Sequence, residues 1–295
     1  MSTVRIFWDP QGLELNALGD NRLLHVSDGD TPKVAMVIRM LSIDTPEVHY
    51  PGMTRPSRHD ARLQQLADWI RQGKAPIDDD LAAHLQPRLA SGQAGTLQER
   101  QGVQATEAFT RLLDERLKRP SGRRRNVFLR TADEPFDRYG RLLAYVAPHY
   151  ESDERAAMTR RERATFNLLL VEAGWAAAFP VYPSLPRHAD LVLLREAARE
   201  AFEARRGAWA DPLALTGYEF RMCYRLAEVT EALANGKKLS QAQRYGWIER
   251  YCVNLTTQEI FYPQGYVKVQ PYDRLFVWPK DVNAAVARLN LVAGA

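Results

Sequence analysis

Residues 34–44, VAMVIRMLSID, constrain this chain more than any other segment. A run this apolar and rich in β-branched residues, stopped by Pro46, reads as a strand covered on both faces. Arg39 breaks it. An arginine is rarely buried without a partner, because removing an unpaired guanidinium from water costs several kcal/mol. The segment therefore predicts either a buried salt bridge at Arg39 or an anionic ligand beside it.

The surrounding residues supply candidates for both. Asp44, Thr45 and Glu47 follow at the end of the strand, and Asp30 lies in the turn that begins it. If Asp30 and Asp44 fold to one end of the sheet, two carboxylates and a carbonyl converge. Such hard oxygen donors suit Ca²⁺ or Mg²⁺ rather than zinc. Asp28-Gly29-Asp30 also reads as plain turn chemistry in a hairpin over 22–47.

Further along, apolar periodicity predicts a helix over 60–73, a second opened by Asp78-Asp79-Asp80, and a third over 102–118. A hairpin follows, with strands at 126–131 and 141–147. Helical patterns cover 154–178 and 187–209, the latter with Leu191, Leu194, Ala198 and Phe202 on one face. Pro212 marks a boundary. Beyond it come a helix near 225–235, short aromatic strands and a closing helix at 281–290. The expected organisation is a unit over 1–211, active by itself and carrying a helical insertion at 52–100, then a small α+β extension over 212–295.

Composition narrows the function classes. With 45% hydrophobic and 26% charged residues over 295 positions, the chain is an ordinary globular one. Two cysteines, Cys223 and Cys252, make neither a disulfide framework nor a four-thiolate zinc site, and read as buried thiols. No apolar run reaches the ~18 residues of a membrane span. The first twenty residues lack a secretion signal, so the expected compartment is the cytoplasm. Of 40 basic residues only seven are lysine, a bias that suits planar phosphate or carboxylate contact and also arises from base composition. Residues 116–130 hold seven basic residues and no acid. Beside a catalytic site such a run attracts polyanions.

Asp137-Arg138-Tyr139-Gly140-Arg141 is the third element. Together with Asp28-Gly29-Asp30-Thr31 and the segment from Arg39 to Glu47, it resembles the staphylococcal nuclease family, whose D-G-D-T, R-x-x-x-x-D-T-P-E and D-x-Y-G-R motifs occur in this order. Asn167–Gly174 and Arg206–Trp209 match as well, so the resemblance covers about 22–50 and 101–211. It implies an OB-fold, a five-stranded β-barrel with packed helices, and Ca²⁺-dependent hydrolysis of DNA or RNA, other divalent cations being possible. Asp30, Asp44 and the Thr45 carbonyl would hold the ion. Arg39 and Arg141 would face the scissile phosphate, and Glu47 would act on the attacking water. Tyr139, Tyr182 and Arg138 would contact substrate, whereas Pro180 stands where relatives often carry a tyrosine.

The residue types fit such chemistry. Two guanidiniums can bind phosphoryl oxygens bidentately, and a donor placed where charge develops is worth about 3 kcal/mol or more. The competing reading is a catalytically silent OB-fold module that binds nucleic acid or protein. Against it, such a module has no evident reason to keep Asp30, Arg39, Asp44, Glu47 and Arg141 together. His59-Asp60 resembles half of a metal phosphohydrolase pair without its second half. The C-terminal aromatic strands suit core packing or base stacking. The 52–100 insertion reads either as peripheral decoration or as a lid that favours single strands, and the chain is taken as a monomer.

Overall fold

The computed structural model describes residues 21–119, 121–137 and 139–294. In chain order the elements begin with β1 (Arg22–Val26), β2 (Pro32–Ala35), β3 (Ile38–Met40) and β4 (Ile43–Asp44). Helices α1 (Asp60–Arg71), α2 (Asp79–Leu89) and α3 (Ala94–Leu117) follow, then β5 (Val127–Phe136), β6 (Leu142–Pro148), α4 (Ser152–Ala157) and α5 (Phe166–Glu172). Next are β7 (Ala177–Ala178), β8 (Val181–Tyr182), α6 (His188–Glu203), α7 (Gly217–Ala234) and α8 (Gln241–Tyr245). The chain closes with β9 (Tyr251–Asn254), β10 (Glu259–Phe261), β11 (Arg274–Val277), α9 (Val282–Leu289) and β12 (Val292–Ala293).

The strands fall into four hydrogen-bonded groups: β1-β2, β3-β6-β5, β4-β7, and a five-stranded sheet in the order β12-β10-β9-β11-β8. The segment expected as one strand over 34–43 is instead cut into pieces. Its parts pair with three partners in turn, β1, β6 and β7, and each change of partner needs a bend. One bend is Ser42, at φ 59°. Val34 and Val37 are exposed rather than covered. The helix expected over 154–178 is likewise two short ones, the second begun by Thr165, whose hydroxyl accepts from the Leu168 N–H. Within the region read as short aromatic strands, residues 263–268 and 271–273 form 3₁₀ turns instead, each opened by a proline.

Two cores matter for the site. The first lies under β3 and β6, where Ile43, Val146, Phe166, Leu170 and Leu194 pack together. The second joins distant parts of the chain. Leu63, Leu66 and Ile70 of α1, and Leu81, Leu85 and Leu89 of α2, share one apolar cluster with Phe220, Met222 and Leu226 of α7 and with Phe179. The insertion is thus a core-forming element packed on the C-terminal region. The parallel pairing of β8 with β11 also crosses residue 211. Helix α7 starts sharply because Thr216 and Glu219 form a capping box, each side chain accepting from the other's backbone N–H.

Candidate functional site

Asp44 ends β4, whose pairing with β7 sets it opposite Ala177. Only 1% of it is exposed. Its Oδ1 accepts from Arg39 Nη2 at 3.1 Å and from Arg221 Nη2 at 2.8 Å. Its Oδ2 accepts from the Tyr218 N–H at 2.5 Å. The other amino group of the Arg221 guanidinium, Nη1, donates to Glu47 Oε1. One arginine on α7 therefore bridges both carboxylates. The approach is close: a Cβ on Gly217 would lie 2.3 Å from the Thr45 carbonyl oxygen and 2.7 Å from Asp44 Oδ2. Helix α3 contacts the same segment at Glu47. Gln98, with its amide in the orientation its neighbours dictate, accepts from the Glu47 N–H and donates to Leu215 O.

Electrostatics follow from this geometry. Burial alone would raise the Asp44 carboxyl, but Arg221 and Arg39 outweigh it and hold the group below its ordinary value. Glu47 goes the other way, pushed up by burial against the pull of Arg221. Burial would lower Arg221, yet Asp44 and Glu47 raise it further. The charge expected to be buried is thus not Arg39, whose side chain is 36% exposed, but its partner Asp44.

Arg141 reaches the same face of the sheet. Arg39 pairs with Leu143 in the parallel β3–β6 register, and Arg141 precedes Leu143 by two positions, so the pleat carries both arginines to one side. Arg141 is held by Asp137 through Nε at 2.7 Å and Nη2 at 2.6 Å. Its guanidinium lies 5.3 Å from the centre of the exposed Tyr139 ring. Asp137 also accepts from the backbone N–H groups of Tyr139 and Arg141. Burial would raise its carboxyl, and these bonds hold it down.

The other sequence candidates lie elsewhere. Asp30 sits on the exposed β1–β2 turn, where it accepts from the Thr31 hydroxyl at 3.1 Å. Tyr182 is buried in a cluster with Val253, Leu275 and Val277. Arg138 lies outside the described residues. His59 contacts the Tyr50 carbonyl at 3.0 Å, and Asp60 caps the start of α3 through Gly95 and Thr96, so this pair serves structure. Cys223 and Cys252 are fully buried, and burial pushes both thiols up.

Among the described residues no group of three or more His, Cys, Asp or Glu side chains gathers as a metal site. The donor set implied for Ca²⁺ does not fit the ion as arranged. Both oxygens of Asp44 accept from cationic or N–H donors, Gly217 crowds the Thr45 carbonyl, and two guanidiniums would repel a cation.

Arg221, Tyr218, Gly217 and Gln98 escape a motif-based reading, since they lie far from the motifs in sequence. A signal was present nonetheless. Arg221 stands between Phe220 and Met222 in GYEFRMCYRL, just after the capping box, as Arg39 stands in its own apolar run.

The family model of the staphylococcal nuclease homologues matches residues 37–211, well over half of the chain. The chain belongs to that family. The match takes in Arg39, Asp44, Glu47 and Arg141 and stops before α7, so the clamp through Arg221 comes from outside the family region. A comparison with curated proteins finds no match. No helix among the described residues is long and apolar enough to cross a membrane.

Proposed function

We propose that this family member binds the phosphodiester backbone of nucleic acid at the sheet face carrying Arg39 and Arg141, with its nuclease-like carboxylates closed off by Arg221. We read β1–β3, β5 and β6 as the OB-type portion that presents this face. The observation that carries the proposal is the bridge from Arg221 to both Asp44 and Glu47. It gives Arg39, Asp44 and Glu47 a structural reason to persist together. It also leaves the two partly exposed arginines as the groups that can meet a phosphate.

A second reading, hydrolysis of the bound phosphodiester, is favoured by one observation. Glu47 and Arg39 sit on one short segment, whose strand β3 pairs with β6 just after Arg141, and these are the residue types that a phosphodiester-cleaving centre needs. In that reading the guanidiniums bind the non-bridging oxygens, and Glu47 orients water after Arg221 lets go of it. Ca²⁺ is not assigned a step, because the donors present do not fit it.

The test is binding and cleavage of labelled single-stranded DNA and RNA, measured in chelator and again with Ca²⁺. Arg141→Ala is expected to weaken binding in chelator about 10-fold or more, the scale of a lost charge-assisted hydrogen bond, and the wild type is expected not to cleave. Unchanged binding in Arg141→Ala would overturn the phosphodiester assignment. Cleavage by the wild type that Ca²⁺ restores and chelator stops would replace it with metal-dependent hydrolysis.

A further inference from the structure

The face that carries Arg39 and Arg141 does not end at them. Along β6 the same side continues through Leu143, Tyr145 and Ala147. Across the β5–β6 register Arg130 stands opposite Tyr145, and Phe128 opposite Ala147. Phe128, Arg130, Tyr145 and Ala147 form one wall of a cleft of about 760 Å³, closed on the far side by residues 160–168 and 185–194. Ser42, two residues before Asp44, also lines it, and its hydroxyl meets the Tyr145 hydroxyl at 2.6 Å. The cleft thus begins about one two-residue step of β6, roughly 7 Å, beyond Leu143.

Its chemistry is one-sided. Among the described residues, Arg130, Arg155, Arg160, Arg163 and Arg187 line it, against Asp190 as the one acid. Asp190 is paired with Arg160 at 2.7 Å. Arg163 donates to the Thr159 carbonyl and Arg155 to the Ser152 hydroxyl. The Arg130 and Arg187 side chains have no protein partner among the described residues and are exposed. Four of the five positive charges therefore lack a carboxylate partner among the described residues. The wall between them is aromatic: Phe128 is 48% exposed, and Tyr145, His149 and Tyr150 lie along the same cleft.

We infer that this cleft is a binding track for single-stranded nucleic acid, leading to the Arg39–Arg141 face. The inference rests on the phosphodiester reading of that face for its direction. Unneutralised arginines follow a phosphate backbone, and an exposed ring beside them offers a stacking platform for an unpaired base. Bases inside a duplex have no free face to give to Phe128, so the cleft selects single strands.

The experiment is fluorescence anisotropy of a labelled oligothymidylate with the full chain in chelator, over a series of salt concentrations. The double variant Arg130→Ala/Arg187→Ala is expected to bind at least ~10-fold more weakly, with a salt slope reduced by about 1.4 for two lost phosphate contacts on a single strand. Phe128→Ala is expected to weaken binding about 10-fold with the salt slope unchanged. All three positions are exposed, and unaltered thermal unfolding confirms the fold. Cleft variants that bind like wild type would overturn the inference. So would thymidine monophosphate binding as tightly as the oligonucleotide, which would make the cleft a small-molecule site. Loss of binding in the cleft variants with none in Arg141→Ala would uphold the track and overturn the reading of the Arg39–Arg141 face.

Discussion

Asp30 and Asp44 belong to motifs that look alike on paper, and the fold treats them in opposite ways. Asp30 stands on a solvent-exposed hairpin with a neighbouring threonine as its partner. Asp44 is buried and accepts from two guanidiniums and a backbone N–H, two of these donors supplied by α7, more than 170 residues away. A carboxylate's chemistry is set by what reaches it. In the open it is free to meet a cation, whereas inside a neutralised ion-pair network it holds structure together.

The contrast breaks most completely if α7 is dispensable, so the largest effect is expected from ending the chain at residue 211. That removes Phe220, Met222 and Leu226 from the core shared with α1 and α2, and strips β8 of β11. Each such side chain contributes about 1.5–3 kcal/mol, against a total stability of about 5–15 kcal/mol. The truncated chain should lose cooperative thermal unfolding by circular dichroism. A sharp transition in a soluble 1–211 fragment would show instead that the family region stands alone.

Next in size is the difference between the two aspartates themselves. Asp44→Ala leaves Arg221 and Arg39 facing each other and should cost about 3–5 kcal/mol in denaturant unfolding, whereas Asp30→Ala should leave stability unchanged. The pH dependence carries the same contrast. A carboxyl held below its ordinary value stabilises the fold above the usual aspartate range, and that stability is lost as pH falls through the folded-state value. Glu47, pushed up, acts in the opposite sense: it favours the fold at low pH and opposes it as pH rises through the window between its ordinary and raised values. Asp44→Ala should flatten the acid limb of the stability curve, and Asp30→Ala should not. Equal effects from the two substitutions would mean that Asp44 is not clamped.

Gly217→Ala perturbs the same clamp less. The added methyl must displace the Thr45 carbonyl or the Asp44 carboxylate, an overpacking worth about 1–3 kcal/mol. A variant as stable as wild type would show that α7 stands further from the site.

Much was legible along the chain because it depends on neighbours in sequence. Both hairpins, the amphipathic faces of α1 and α6, the acidic start of α2 and the family motifs follow from turn residues, periodicity and local order. So did the demand that Arg39 have a partner. Hidden from view was which partners the charged residues would choose. Local order was enough to show that Arg39 needs a partner and that three motifs in series resemble the staphylococcal nuclease family. Packing alone settled that Asp44 and Glu47 would be claimed by Arg221, that Tyr182 would go into a core, and that the insertion would pack on the C-terminal helix. The physical reason is one of range. Helical and turn preferences act over a few residues, whereas the pairing of a buried charge is settled by whichever segment the packing of a shared core brings within about 3 Å.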